Sequence, residues 1–167
     1  MSQHLHKAGA PTAVRVFVLT VSDTRTEATD TGGAAIVSLL DAAGQIVAGR
    51  AIVTDEPAAV MRAVSDAIDN GDVDVVITTG GTGLTSRDST YEAIVGLLDK
   101  RLDGFGELFR ALSYQEIGPA AMLSRAVAGS TRGTFIAALP GSEAAVRLAM
   151  EKLLLPELGH IVQQLRK

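Results

Sequence analysis

The sequence predicts an α/β fold of three layers, α/β/α, with a mostly parallel central sheet and a small β-hairpin-like element. Three observations lead there. Apolar, β-branched runs alternate with segments of helical periodicity. The apolar content, 47% of 167 residues, is aliphatic, with only 4% aromatic residues; buried parallel strands covered by helices favour that mix. Polar clusters recur just after the strands, where open α/β sheets bind their ligands.

The elements follow in order. Ala13–Val21 (AVRVFVLTV) reads as a buried strand. Gly33–Ala43 places Ile36, Val37, Leu39 and Leu40 at helical spacing, and Gly44 stops the helix. Ile46–Val53 is a second strand. Glu56–Asn70 is a helix with Pro57 in its first turn, where a missing N–H costs little. Its apolar face is Val60, Val64, Ala67 and Ile68, and Asn70-Gly71 ends it. Val73–Thr79 is a third strand. Ser89 with Glu92 three residues on predicts a capping box, opening a helix to about Lys100. Helical fragments follow around Glu107–Leu112 and Pro119–Arg125, divided by Gly118-Pro119. Two short strands, Ala126–Gly129 and Thr134–Leu139, are joined by the turn-rich Ser130–Gly133. Ser142 caps a helix through Leu155, and Pro156 starts another short one. Strand–helix alternation of this kind makes a parallel sheet, and right-handed crossovers put helices on both faces.

Length suits one domain, residues 13–167, behind a disordered tail over 1–12 that carries His4 and His6. There is no cysteine, which excludes disulfides, thiolate nucleophiles and cysteine-held zinc. No apolar run is long enough to span a bilayer, and the N-terminus lacks a signal-peptide core. A soluble, cytoplasmic protein is expected. The net charge of −4 argues against nucleic acid as a partner. Its cations are 11 Arg against 4 Lys, and arginine suits bidentate phosphate contacts, subunit interfaces or plain solvated surface.

Four predicted strand ends are polar: Ser22–Arg25, Thr54–Pro57, Gly80–Ser89 and Pro140–Ser142. That is more than turn-making needs. Gly80-Gly81-Thr82-Gly83 is either a glycine-rich turn or a nest of N–H groups that holds phosphate beside a helix N-terminus. A helix end alone contributes roughly 0.3–1 kcal/mol to an exposed anion, so Thr82, Thr85, Ser86, Arg87 and Ser89 are the further donors. No Gly-Lys pair occurs, so this is no P-loop, and the G-x-G-x-x-G spacing fails. Asp88 beside such a nest is either a magnesium ligand or a first-turn acid facing the helix dipole. Asp55 is either a metal–phosphate ligand or the N-cap of the Pro57 helix. Asp23 holds a metal, a sugar hydroxyl or only a turn. His160 is the sole histidine outside the tail, so a Ser–His–Asp triad depends on it alone.

The stretch TTGGTGLTSRDSTYEA (Thr78–Ala93) resembles the signature of the MoaB/MogA family of molybdenum-cofactor biosynthesis proteins. VSDTR (Val21–Arg25), GFGELFRALSYQEIGPAAMLSRAVAG (Gly104–Gly129) and ALPGS (Ala138–Ser142) are similar to its other segments, in the same order and spacing. The match spans nearly all of the chain after the tail, and Ser-Tyr-Gln-Glu-Ile-Gly leans toward the MoaB branch. The resemblance implies a molybdopterin-binding α/β fold. In active members it implies adenylylation of molybdopterin by ATP with magnesium, a nucleotidyltransferase reaction, before a molybdate-inserting protein takes the product. It implies that Gly80, Gly81, Thr82, Gly83 and Ser89 hold the molybdopterin phosphate and that Pro140, Gly141 and Ser142 close on the pterin. Asp55 and Asp88 are then catalytic, Asp55 through magnesium. Ser22, Asp23 and Asp30 line the nucleotide side. The family's Asp-x-Ser-Gly reads Asp30-Thr31-Gly32-Gly33 here, without the serine hydroxyl and with Thr31 beside it. A homotrimer, or a hexamer of two trimers, is implied as well. The alternatives are a non-catalytic molybdopterin carrier and a general sugar- or nucleotide-phosphate binder.

Overall fold

The computed structural model describes residues 7–167. Its strands are β1 (Arg15–Val21), β2 (Ile46–Val53), β3 (Val75–Thr79), β4 (Lys100–Arg101), β5 (Val127–Thr131) and β6 (Thr134–Leu139). Its helices are α1 (Thr31–Ala42), α2 (Pro57–Asp69), α3 (Thr90–Leu97), α4 (Asp103–Ile117), α5 (Glu143–Ala149) and α6 (Leu158–Leu165). One six-stranded sheet runs β2-β1-β3-β6-β5-β4. β2, β1, β3 and β6 are parallel, while β5 is antiparallel to both β6 and β4.

Alternation along each strand builds two cores. Val16, Val18, Val75, Ile77, Phe135, Ala137 and Leu139 face α1, α4, α5 and α6. Leu19, Val21, Val76, Ile136 and Ala138 face α2 and α3. Both faces are covered, so the strands carry apolar residues almost without a break. The α1 crossover carries the chain outward from β1 to β2 over one face. The α2 crossover brings it back to β3 over the other. The direction of winding therefore reverses between β1 and β3, the place where such sheets open a ligand crevice.

The helix stops behave as the sequence predicts. Gly44 and Gly71 take φ of +70° and +74°, a conformation that glycine adopts without strain. The Ser142 hydroxyl accepts from Ala145 N and caps α5.

Several expectations are corrected. The helix from Ser89 ends at Leu97, not Lys100, because Leu98 turns extended and β4 then pairs with β5. The Ser89–Glu92 capping box does not form: the Ser89 side chain turns to Asp55 and Glu92 to Arg125. The Glu107–Leu112 fragment is the middle of the longer α4, which runs from Asp103 because its apolar Phe105 and Phe109 pack inward. The helix from Ser142 leaves α geometry at Met150, where Leu155 N reaches back to Met150 O in a π turn. β5 runs to Thr131, and the link to β6 shrinks to Arg132-Gly133, both at positive φ. Residues 7–12 are not a free tail. Ala8 O accepts from Gln163 Nε2 and Pro11 lies against Gly159. Residues 1–6, with His4 and His6, lie outside the described residues.

Candidate active site

The carboxyl ends of β1, β2, β3 and β6 bring the four polar clusters to one edge of the sheet. The chain leaves β3 at Gly80 with φ +98° and Gly81 with φ +69°. Both must be glycine for space as well as conformation. A Cβ on Gly80 would strike Val21 O, and one on Gly81 would strike Thr90 Oγ1 and lie 2.7 Å from Asp55 Oδ2. Gly80 N donates to Leu139 O at 3.0 Å and Gly81 O accepts from Thr90 N at 3.0 Å, which anchors the turn to β6 and α3. Thr82 is buried, and its carbonyl accepts from Arg125 N.

This double-glycine turn divides the site. On the α1 and α5 side lies a recess of about 330 Å³. Ser22, Arg25, Asp30, Thr79, Gly80, Gly141 and Ser142 line it. Asp30 is only 3% exposed. Its Oδ1 accepts from Gly33 N at 2.9 Å; Oδ2 accepts from Thr20 Oγ1 at 2.6 Å and Arg50 Nη2 at 2.7 Å. Burial alone would raise its pKa. The Thr20, Arg50 and Gly33 hydrogen bonds outweigh burial and hold the carboxyl below its ordinary value. Asp30 thus caps α1 and spends its charge inside the fold. A Cβ at Gly32 would come within 3.2 Å of Gly141 O and 3.3 Å of Thr79 Oγ1. A serine side chain at this position would stand where α1 meets the β6 loop. Pro140 O accepts from Thr79 Oγ1 at 2.9 Å, tying that loop to β3. The Ser22 hydroxyl accepts from Thr24 N and Arg25 N, closing its own turn.

On the α2 and α3 side stand the acids. Asp55 is 7% exposed. It does not cap α2, whose N-cap is Glu56 without a side-chain bond. Its Oδ1 accepts from Ser89 N at 3.1 Å and Ser89 Oγ at 2.7 Å. Asp88 lies before the helix, not in its first turn. Its Oδ2 accepts from Thr85 N at 2.8 Å and Thr85 Oγ1 at 2.7 Å. Arg87 crosses the loops in front: Nε and Nη2 grip Asp23 at 2.9 and 3.1 Å, and Nη1 reaches Glu56 at 2.9 Å. The Arg87 guanidinium, then the Asp55 N–H, hold the Asp23 carboxyl below its usual range, and Asp23 with Glu56 raises Arg87.

Five acids meet here, and three have a cation: Asp23 and Glu56 share Arg87, and Asp30 has Arg50. Asp55 and Asp88 form no ion pair among the described residues. Each keeps one oxygen, Asp55 Oδ2 and Asp88 Oδ1, outside any hydrogen bond among those residues. No cluster of three or more acids or histidines poised for a metal occurs among them. Magnesium is often held by one or two carboxylates together with substrate phosphates, and these two free oxygens suit that role.

Of two further arginines, Arg25 belongs to the polar strand end Ser22–Arg25 to which the sequence points, and Arg125 was not foreseen. Arg25 lines the recess without a carboxylate partner among the described residues. Arg125 grips the β3 loop from a segment more than thirty positions along the chain. The type of Arg125 was visible, but nothing local in the sequence tied it to the site.

Comparison with known proteins identifies the family. Residues 17–160 match the family described as "Probable molybdopterin binding domain". The chain is 51% identical to Molybdenum cofactor biosynthesis protein B of Bacillus cereus, over 100% of this chain and 99% of that protein. A crystal structure of a Molybdenum cofactor biosynthesis protein B superposes with a TM-score of 0.91 at 52% identity, covering 94% of this chain and 98% of that one. The tungsten cofactor synthesizing protein MoaB of Pyrococcus furiosus superposes at 0.84 with 40% identity, covering 95% and 100%. With such likeness over its whole length, the chain belongs to the MoaB/MogA family of molybdenum cofactor biosynthesis proteins, on the MoaB branch.

Proposed function

We propose that the chain binds molybdopterin and adenylylates it with ATP and magnesium, ahead of molybdate insertion by a separate protein. One observation carries the reading: Asp55 and Asp88 stand beside the glycine turn with an oxygen free and no cation of their own. In the proposed step, an oxygen of the molybdopterin phosphate attacks the α-phosphorus of ATP. A new P–O–P bond forms, the bond from α-phosphorus to the β-bridging oxygen breaks, and pyrophosphate leaves with the electron pair. Two anions must meet, and at about 4 Å like unit charges repel by about 4 kcal/mol at an effective dielectric near 20. Asp55 and Asp88 would hold magnesium through their free oxygens, and the ion would supply charge neutralisation for the phosphates.

The chain's own groups supply the rest. N–H groups of the 81–84 turn and Arg25 take phosphate oxygens, the Gly80 N–H being spent on Leu139 O, and the Gly141–Ser142 loop shuts the recess on the pterin. Ser22, Asp23 and Asp30 shape the nucleotide side, Asp30 by capping α1 and not by direct contact. No covalent protein nucleophile is required, in keeping with the absence of cysteine. The proposed setting is the cytoplasm, and the proposed working form is a homotrimer or a pair of trimers.

The test is direct. Purified protein with molybdopterin, ATP and magnesium is expected to release adenylylated molybdopterin and pyrophosphate. Folded protein that forms neither overturns the reading; tight molybdopterin binding without ATP turnover makes it a carrier. Asp55→Asn and Asp88→Asn keep an oxygen acceptor for Ser89 and Thr85 and lose the charge. Each is expected to lower kcat by about a hundredfold with the thermal midpoint nearly unchanged.

A further inference from the structure

We propose that Arg125 is a positioning residue that shapes the β3 loop from behind and sets where its N–H groups and Asp88 stand. The proposal rests on the reading of that loop as a phosphate holder. Arg125 sits between α4 and β5, with its side chain 24% exposed. Its backbone N donates to Thr82 O at 3.2 Å. Its Nε donates to Gly83 O at 3.0 Å and its Nη2 to Asp88 O at 3.2 Å. The same guanidinium pairs with Glu92 in the first turn of α3 and lies 5.0 Å over the Tyr91 ring. One residue therefore takes a carbonyl at each end of the 83–88 segment. The residues between, Leu84–Arg87, are exposed. A loop with so few buried contacts opens easily unless something holds it.

Peptide geometry gives these bonds a consequence. In a planar trans peptide the carbonyl and the following N–H point in opposite directions. Drawing Thr82 O, Gly83 O and Asp88 O toward Arg125 turns the N–H groups of Gly83, Leu84 and Ser89 away from it. The Ser89 N–H indeed meets Asp55 Oδ1. The Gly83 and Leu84 N–H groups have no acceptor among the described residues, so they stand as paired donors facing out of the loop. Arg125 is itself braced. Arg110 of α4 donates to Ser124 O and Ala126 O, the carbonyls on either side of it. Arg87 holds the front of the loop to Asp23 and Glu56, and Arg125 holds the back to α3 and β5.

Arg125→Lys separates this role from general stability. Lysine keeps the charge and the contact over Tyr91, but it has no planar fork to reach Gly83 O, Asp88 O and Glu92 together. Inorganic pyrophosphate, titrated calorimetrically with magnesium present, is expected to bind about tenfold more weakly. Amide hydrogen exchange at 83–89 is expected to quicken by a similar factor, with β1, β3 and β6 unchanged. Glu92→Gln removes the ion pair and leaves the loop carbonyls gripped, so both readouts should stay within about twofold. Wild-type affinity in Arg125→Lys, whether or not its loop exchanges faster, overturns the proposal. So does exchange that rises throughout the sheet. If the wild-type protein neither binds pyrophosphate nor adenylylates molybdopterin, the preceding reading fails, and loop exchange alone decides on Arg125: unaltered protection at 83–89 overturns it.

Discussion

Asp30 keeps a carboxylate where little water reaches it, and each of its bonds can be read out by substitution. It caps α1, pairs with Arg50 and accepts from Thr20. Asp30→Ala removes the cap and leaves two donors facing an empty place, so unfolding free energy should fall by about 2–3 kcal/mol. The pH dependence follows from its depressed pKa. The contribution is complete above the unfolded value, near 3.8, and is lost as pH falls through the lower native value. Acid titration of stability should therefore show a smaller loss below that point in Asp30→Asn than in the wild type. Gly81→Ala tests the turn instead. Its φ of +69° and the collision with Thr90 Oγ1 leave alanine no place. The expected cost is about 1–2 kcal/mol from the backbone alone, with loss of pyrophosphate binding in calorimetry; unaltered binding would show that the turn is not the phosphate holder.

Among the elements, the β5–β6 hairpin shows what a sequence reveals and what it hides. Its strands were legible as two short segments, Ala126–Gly129 and Thr134–Leu139, on either side of a turn-rich link. The tight turn was not, because Ser130-Thr131-Arg132-Gly133 carries turn residues throughout and says nothing of register. Pairing of Thr131 with Thr134 leaves Arg132 and Gly133 at φ +49° and +75°, as a two-residue hairpin of matching twist requires. Gly133→Ala should lower stability by about 1 kcal/mol, measured by urea unfolding, with the site unaffected. The same logic explains the capping box. Ser89 and Glu92 have the right spacing for it, but Asp55 and Arg125, far off in sequence, offer stronger charged partners. Local pattern placed the loops at the strand ends and named Asp55, Asp88 and the glycines. Which acids would find arginines depended on strand order, and β4, at two residues, has no periodicity to detect.

For the molecule as a whole, the unbalanced feature is where apolar side chains remain in water. Among the described residues, six of the nine exposed large hydrophobic side chains lie between Leu102 and Leu123. α4 buries Phe105 and Phe109 on its inner side and still presents Leu108, Tyr114 and Ile117 outward, at 57%, 60% and 61% exposure. Met122 and Leu123 continue the surface at 76% and 52%. A helix apolar on two sides is one packed on two sides, and a clustered surface of this kind marks an association site. The expected occupant is a second copy of the chain. Light scattering at micromolar concentration should report three or six chains per particle; a monomer would contradict it. Ile117→Glu with Met122→Glu places charge in the buried contact and should shift the particle toward single chains. Neither residue packs in the two cores, so the circular dichroism of the fold should be retained. A double variant that keeps its assembly would place the interface on another face.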